Sequence, residues 1–313
     1  MIKSVTVTNH LGESLVMELR FPEKSGFLIR GEIDGLGPPK ASITSTDLAT
    51  RDGSRFTFAK MNNRNIVIPL TFLGSRISPI TGLLEQISIE QIRHDSYKYF
   101  PLMREVRVQI ETDERLCEAH GHVEGNDPTI FSSEEGCIIS IVCNDPYFYS
   151  VEKKDSVFSG IEPKFHFPFS NESLVSKLLF FSEITHNAEK TVFYEGDISV
   201  GIVMHIHATG PATKILISNT RTREVMFIDN TRIAALIGSG FVAGDDITIS
   251  TLKGNKYISL LRAGVAIDIR NSLGKFPSWF QVERGDNLFA YTAETGDVNL
   301  QFRVSSQIAY EGV

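Results

Sequence analysis

Apolar and polar residues alternate along this chain in short runs, each closed within about ten residues by glycine, proline, asparagine or aspartate. A two-residue period is the mark of a half-buried strand, because successive strand side chains point to opposite faces. In the first half such runs fall at residues 3–9, 15–19, 27–34, 40–46, 55–58 and 65–72. Pro69 lies inside the last of these, which predicts an edge strand or a bulge there. Residues 105–112 and 117–124 read as a hairpin around Asp113-Glu114-Arg115, and residues 136–143 as a further buried strand. In the second half the pattern recurs at 165–169, 175–180, 190–194, 200–208, 214–219, 224–229, 246–251, 257–262, 264–269, 287–292 and 298–307. Strands of this length and spacing predict a barrel or a sandwich.

One segment changes period. Ser88-Ile89-Glu90-Gln91 fits a capping box, with Ser88 as N-cap and Gln91 reaching back to it. Ile89, Ile92, Ser96 and Tyr97 then fall close to one helical face, and Pro101 stops the helix. The piece before it, residues 80–87, reads as a loop with a helical turn. No helix competes with the strands in the second half, which predicts a double-sheet jelly-roll sandwich.

A chain of 313 residues is about twice an ordinary domain. The strong strand ending at Cys143-Asn144-Asp145-Pro146 and the charged stretch Glu152-Lys153-Lys154-Asp155 put a boundary near residue 150, giving domains 1–149 and 150–313. No run of about 18 apolar residues is present, so no membrane span is expected. The first residues alternate as a strand and lack an apolar signal core, so the chain is expected to be made and kept in a cytoplasm until assembly. A net charge of −7 argues against gripping nucleic-acid phosphates and is compatible with DNA sliding past. Cys117, Cys137 and Cys143 lack metal-ligand spacing and read as buried thiols.

Catalytic motifs do not emerge. Gly35-Leu36-Gly37-Pro38-Pro39 opens no helix, and its prolines remove two of the amides a phosphate cradle needs, so it reads as a rigid turn. His120-Gly121-His122 and His205-Ile206-His207 each put two imidazoles on one strand face, yet two ligands do not make a metal site. Asp245 and Asp246, after Gly244, and Glu283-Arg284-Gly285-Asp286 read as solvated turns. Trp279, the single tryptophan, reads as core or sheet-edge packing, with a sugar platform as the sharper alternative. No catalytic residue, cofactor or metal is expected.

Taken in order, several of these pieces resemble the distal tail (Dit) proteins of long-tailed phages. The resemblance runs through residues 35–41, Arg51-Asp52-Gly53, Ser88-Ile89-Glu90, Tyr97-Lys98-Tyr99-Phe100-Pro101, Gly121-His122-Val123-Glu124 with Ile130-Phe131-Ser132, and residues 139–148. It continues through Tyr194-Glu195-Gly196-Asp197, residues 203–211 and 244–251, Ser278-Trp279, Gly285-Asp286-Asn287 and Tyr310-Glu311-Gly312-Val313. It implies a barrel-like N-terminal domain with one helix, forming a homohexameric ring around a channel that DNA traverses. It also implies a galectin-like C-terminal sandwich facing outward, in a virion, with tail-tube, tail-tip and receptor-binding proteins as partners. Two other readings stand beside it. The sandwich could be a host-glycan module working through Trp279, Asp245 and Asp246. A hydrolase would need His205, His207 and an acidic partner.

Overall fold

The computed structural model describes residues 1–48, 52–78, 80–130, 134–163, 182–186 and 189–313. The strands expected at 165–169 and 175–180 lie outside these residues, as do Arg51, Phe131 and Ser132. The chain is mainly β and divides into two compact units, Met1–Val151 with Ala309–Val313, and Glu152–Ile308.

In the first unit, β1 (Ile2–Thr8), β2 (Ser14–Glu18) and β3 (Phe27–Ile29) precede a hairpin of β4 (Ala41–Asp47) and β5 (Ser54–Met61). Next come β6 (Arg64–Phe72), the short pair β7 (Ser75–Ile77) and β8 (Leu84–Gln86), and helix α1 (Ile89–Tyr99). β9 (Glu105–Thr112), β10 (Leu116–Thr129), β11 (Gly136–Cys143) and β12 (Phe148–Val157) follow, the last running on into the second unit. One ladder is β2-β1-β9-β10 and another is β3-β6-β11-β10. The 14-residue β10 belongs to both: Leu116–His122 pairs with β9, while His122–Thr129 pairs with β11 across a bulge between Val123 and Gly125. A side chain at Gly121 would strike Ile141 and Cys143, so the bend of β10 depends on glycine there. Alternation does the rest, burying Val5, Val7, Val106, Val108 and Ile110 from the first ladder and Ile66, Ile68, Ile139 and Ile141 from the second.

Four expectations for this unit change. β6 is paired on both sides and keeps an unbroken register with β11, so Pro69 marks neither an edge nor a bulge. The Pro69 carbonyl accepts from Arg30 N–H at 3.0 Å, just past the end of β3. The missing proline N–H therefore falls where the β3 ladder stops. Ser88 caps α1 by position, but its side chain makes no capping hydrogen bond. The helix buries Ile92 and Ser96 and leaves Ile89 and Tyr97 partly exposed, a narrower stripe than the period suggested. Residues 80–87 join the β7–β8 hairpin in place of a helical turn, with Ser75 opposite Gln86 and Ile77 opposite Leu84.

The second unit holds β13 (Ser159–Pro163), β14 (Ser182–His186), β15 (Glu189–Tyr194), β16 (Val200–Gly201), β17 (Val203–Ala208), β18 (Thr213–Asn219) and β19 (Glu224–Ile228). Helix α2 (Asn230–Ile237) comes next, then β20 (Asp245–Leu252), β21 (Asn255–Arg262), β22 (Val265–Asp268), β23 (Gln281–Val282), β24 (Gly285–Thr295) and β25 (Leu300–Tyr310). Its two main sheets are β25-β17-β20-β21-β22 and β15-β24-β18-β19. Phe302 of the first and Tyr291 of the second meet at 5.2 Å between ring centroids, with Phe158 edge-on to both, so the sheets face each other as a sandwich. The run expected at 200–208 is broken at Ile202, whose N–H donates to the Thr251 hydroxyl at 2.8 Å.

Helix α2 corrects the expectation of a helix-free second half. Asp229, expected to end a strand, accepts from Thr231 N–H at 2.9 Å as its N-cap, and Gly238 closes the helix at φ 81°.

Candidate assembly surface

The first unit is organised around a buried arginine. Arg64 begins β6, and the two-residue period that buries Ile66 and Ile68 carries its side chain to the same core face. There the guanidinium donates to the carbonyls of Pro146 (2.7 Å), Gly37 (2.7 Å), Glu311 (2.6 Å) and Gly35. Its plane lies 4.2 Å from the centroid of the Phe148 ring. Burial pulls the Arg64 pKa down, yet an arginine keeps its proton at any ordinary pH. The five-donor fork suits several carbonyls at once, where an ammonium would not. The turn 35–39 is thus rigid for a second reason besides its prolines. Gly35 is required there, since at φ 81° a Cβ would come within 1.9 Å of the Asn65 carbonyl oxygen. Val313 N–H donates to the Leu36 carbonyl at 3.0 Å, completing the clasp.

From this anchored loop the β4–β5 hairpin rises. Among the described residues its two strands pair only with each other. Every side chain on the two strands is exposed except Ser42 and Met61, which are half-buried. Register puts Ala41, Ile43, Ala59 and Met61 on one face, and a bulge between Phe58 and Phe56 brings Phe56, opposite Ser45, to that face too. Ile43 and Phe56 are 70% and 63% exposed. An isolated two-stranded hairpin is marginal in water, and exposed aromatics beside two unpaired edges mark a surface made to be covered. Ile80, Leu83 and Leu84 of the β7–β8 hairpin are exposed in the same way. The strand reading located the hairpin, but Arg64 was missed. Extending the β6 period two residues back would have placed it in the core.

Of the residues singled out for chemistry, His205, His207 and Asp246 come together on one outward sheet face, and the others are dispersed. Asp245 is buried, held by Arg262 at 2.5 and 2.7 Å and by Val242 N–H at 2.9 Å. Burial pushes its carboxyl up, but these hydrogen bonds outweigh it and hold the group below the usual carboxylate range. Asp246 faces outward against His207, Oδ1 to Nδ1 2.6 Å. Trp279 is half-buried under Lys256, whose Nζ is 5.6 Å from its ring centroid. Lys256 pairs with Thr251, five residues along β20 from Asp246, so the backbone at Lys256 lies about 17 Å along the strand from Asp246. His120 and His122 share an exposed face of β10, where His120 is 3.4 Å from Glu105. Among the described residues no three His, Cys, Asp or Glu side chains are grouped to hold a metal. The three cysteines are free and buried, burial pushing Cys137 up to about 12 and Cys117 and Cys143 to about 11.

Neither a protein-family model nor a curated protein sequence matches the chain. Solved structures do. The crystal structure of the SPP1 Dit protein, described as a paradigm of the hub adsorption apparatus in phages infecting Gram-positive hosts, superposes with a TM-score of 0.64. The match covers 97% of this chain and 98% of that one, at 12% identity. The chain has the Dit fold. A component of the phage P2 baseplate in its calcium-activated conformation also matches over the full length of both chains, at 10% identity and a TM-score of 0.49.

Proposed function

We propose that this protein is a structural subunit of a phage tail tip: a distal tail hub that forms a homohexameric ring joining the tail tube to the tip and receptor-binding proteins. The observation that carries this reading is the Dit fold over 97% of the chain. The β4–β5 hairpin supports it, since its apolar face and both its strand edges need a neighbour. In this reading the neighbour is a second copy of the chain, because a head-to-tail interface that repeats around a closed ring lets each hairpin seat on the next subunit. Residues 1–149 build the ring and residues 150–313 face outward. DNA passes through the lumen without being bound, in keeping with a net charge of −7. No residue is assigned a catalytic role. The protein acts in the virion after synthesis in the bacterial cytoplasm.

Negative-stain microscopy and light scattering of the purified protein, alone and with its tail-tube partner, test the reading. Six-fold rings are expected. A particle that stays monomeric at high concentration under both conditions sinks it.

A further inference from the structure

The second unit, which the proposed ring leaves facing outward, carries a polar sheet face. In the sheet β25-β17-β20-β21, register sets His207 between Gln301 and Asp246, and His205 between Arg303 and Thr248. Leu261 and Ser259 extend these two rows onto β21. The alternate residues Phe302, Ile206, Ile247 and Leu260 are buried, so the sandwich is held together from the opposite side. The outward rows line a cleft of about 410 Å³, to which the partly exposed Val157 and Leu261 add apolar surface. Its polar groups are tied to one another. His207 meets Asp246 at 2.6 Å, His205 Nδ1 lies 3.3 Å from the Thr248 hydroxyl, and Arg303 lies 3.8 Å from Asp155. His207, Asp246 and Arg303 still keep 43%, 49% and 46% of their side-chain surface in solvent.

We propose that this cleft binds a saccharide. Sugar hydroxyls both donate and accept, and the lining mixes donors with acceptors: the Gln301 amide, His207 imidazole and Asp246 carboxylate in one row, the Arg303 guanidinium and His205 imidazole in the other. Neighbouring strands lie about 4.8 Å apart, close to the length of one sugar ring, so adjacent residues within a row can address neighbouring hydroxyls, and the second row lies about 6.8 Å further along the strands. Val157 and Leu261 supply apolar surface for the C–H face of the ring. Arg303 is already matched by Asp155, so a phosphate finds no unpaired guanidinium or ammonium group among the lining residues. Burial, with Arg303 adding to it, holds His205 below the usual histidine range, which leaves it neutral at pH 7 and able both to donate and to accept. Side chains ordered before the ligand arrives lose less freedom on binding.

The test screens the full-length protein against an array of bacterial surface polysaccharides and their component oligosaccharides. The strongest ligand is then titrated calorimetrically against wild type, Arg303→Gln, Gln301→Ala and Trp279→Ala, with melting temperatures measured in parallel. Saturable binding is expected, weakened about tenfold in the two cleft variants and unchanged by Trp279→Ala. Gln301 is an exposed side chain, so its variant reports on binding even if Arg303→Gln alters the fold. The proposal is overturned if no glycan binds saturably, if binding survives both cleft variants, if it is lost only in Trp279→Ala, or if inorganic phosphate displaces the glycan. Ring formation is not read out, so failure here leaves the assembly reading untouched.

Discussion

Arg64 and Asp245 are the two charges on which the units lean most, and they are satisfied differently. Arg64 is neutralised by carbonyl dipoles and an aromatic face, so its geometry counts for more than its charge. Arg64→Lys keeps the charge but offers three donors on a compact head, and should cost about 3 kcal/mol in chemical denaturation. A loss below about 1 kcal/mol would mean the carbonyl cage contributes little. Asp245 is a paired buried carboxylate, and Asp245→Ala should cost about 3 kcal/mol by stranding Arg262. Its pH dependence has a definite sign. The folded pKa lies below the unfolded value of about 3.9, so the unfolded state binds the proton first as pH drops. The pair's contribution is complete above that value and is lost as pH falls through the folded pKa. The stability gap between wild type and Asp245→Asn should therefore be constant from pH 5 to 7 and shrink on acidification, as urea titrations across this range would show.

The β4–β5 hairpin separates assembly from folding. Ile43→Ser with Phe56→Ser removes exposed apolar surface that touches nothing in the subunit core. The melting temperature should stay within a degree or two while ring yield in light scattering falls severalfold. Helix α2 makes the opposite kind of prediction. Asp229→Ala removes a side-chain cap and should cost about 1 kcal/mol with no effect on assembly. These two elements also show what a sequence can disclose. Alternation located most of the described strands, because period two and strand burial are the same fact. It passed over β7, β8, β13, β14, β23 and β12, the last because its exposed residues 152–155 read as a boundary instead. The register bulge that moves Phe56 to the Ile43 face was hidden, since it arises from pairing and not from composition. Asp229 and Gly238 carried an ordinary cap signature, but eight residues between strands offer too little periodicity to outweigh the β pattern around them. The cleft of the second unit needed three strands in register. His205-Ile206-His207 announced a shared face, yet Asp246 and Arg303 join it only through ladders that span 39 and 98 residues.

For the whole molecule, the telling feature is that Ala309–Val313 packs in the first unit. Ala309 and Tyr310 are buried, the Arg115 guanidinium lies 4.7 Å from the Tyr310 ring centroid, and Glu311 and Val313 hydrogen-bond to the Arg64 clasp. Deleting residues 309–313 should loosen a loop more than 270 positions away in sequence. Amide exchange at residues 35–37 and at 147–148 should quicken by an order of magnitude or more, while β20 and β21 stay protected. Equal exchange in both proteins would show that the tail is passive. The clasp also bears on the order of events during synthesis. Arg64 and Glu311 are separated by 247 residues, which a ribosome takes roughly 10 to 50 s to make. Throughout that interval the guanidinium lacks its last carbonyl, and a nascent chain that stalls within the second unit never receives it. The first unit therefore stays unsealed until residues 309–313 have left the ribosome and found the Arg64 clasp.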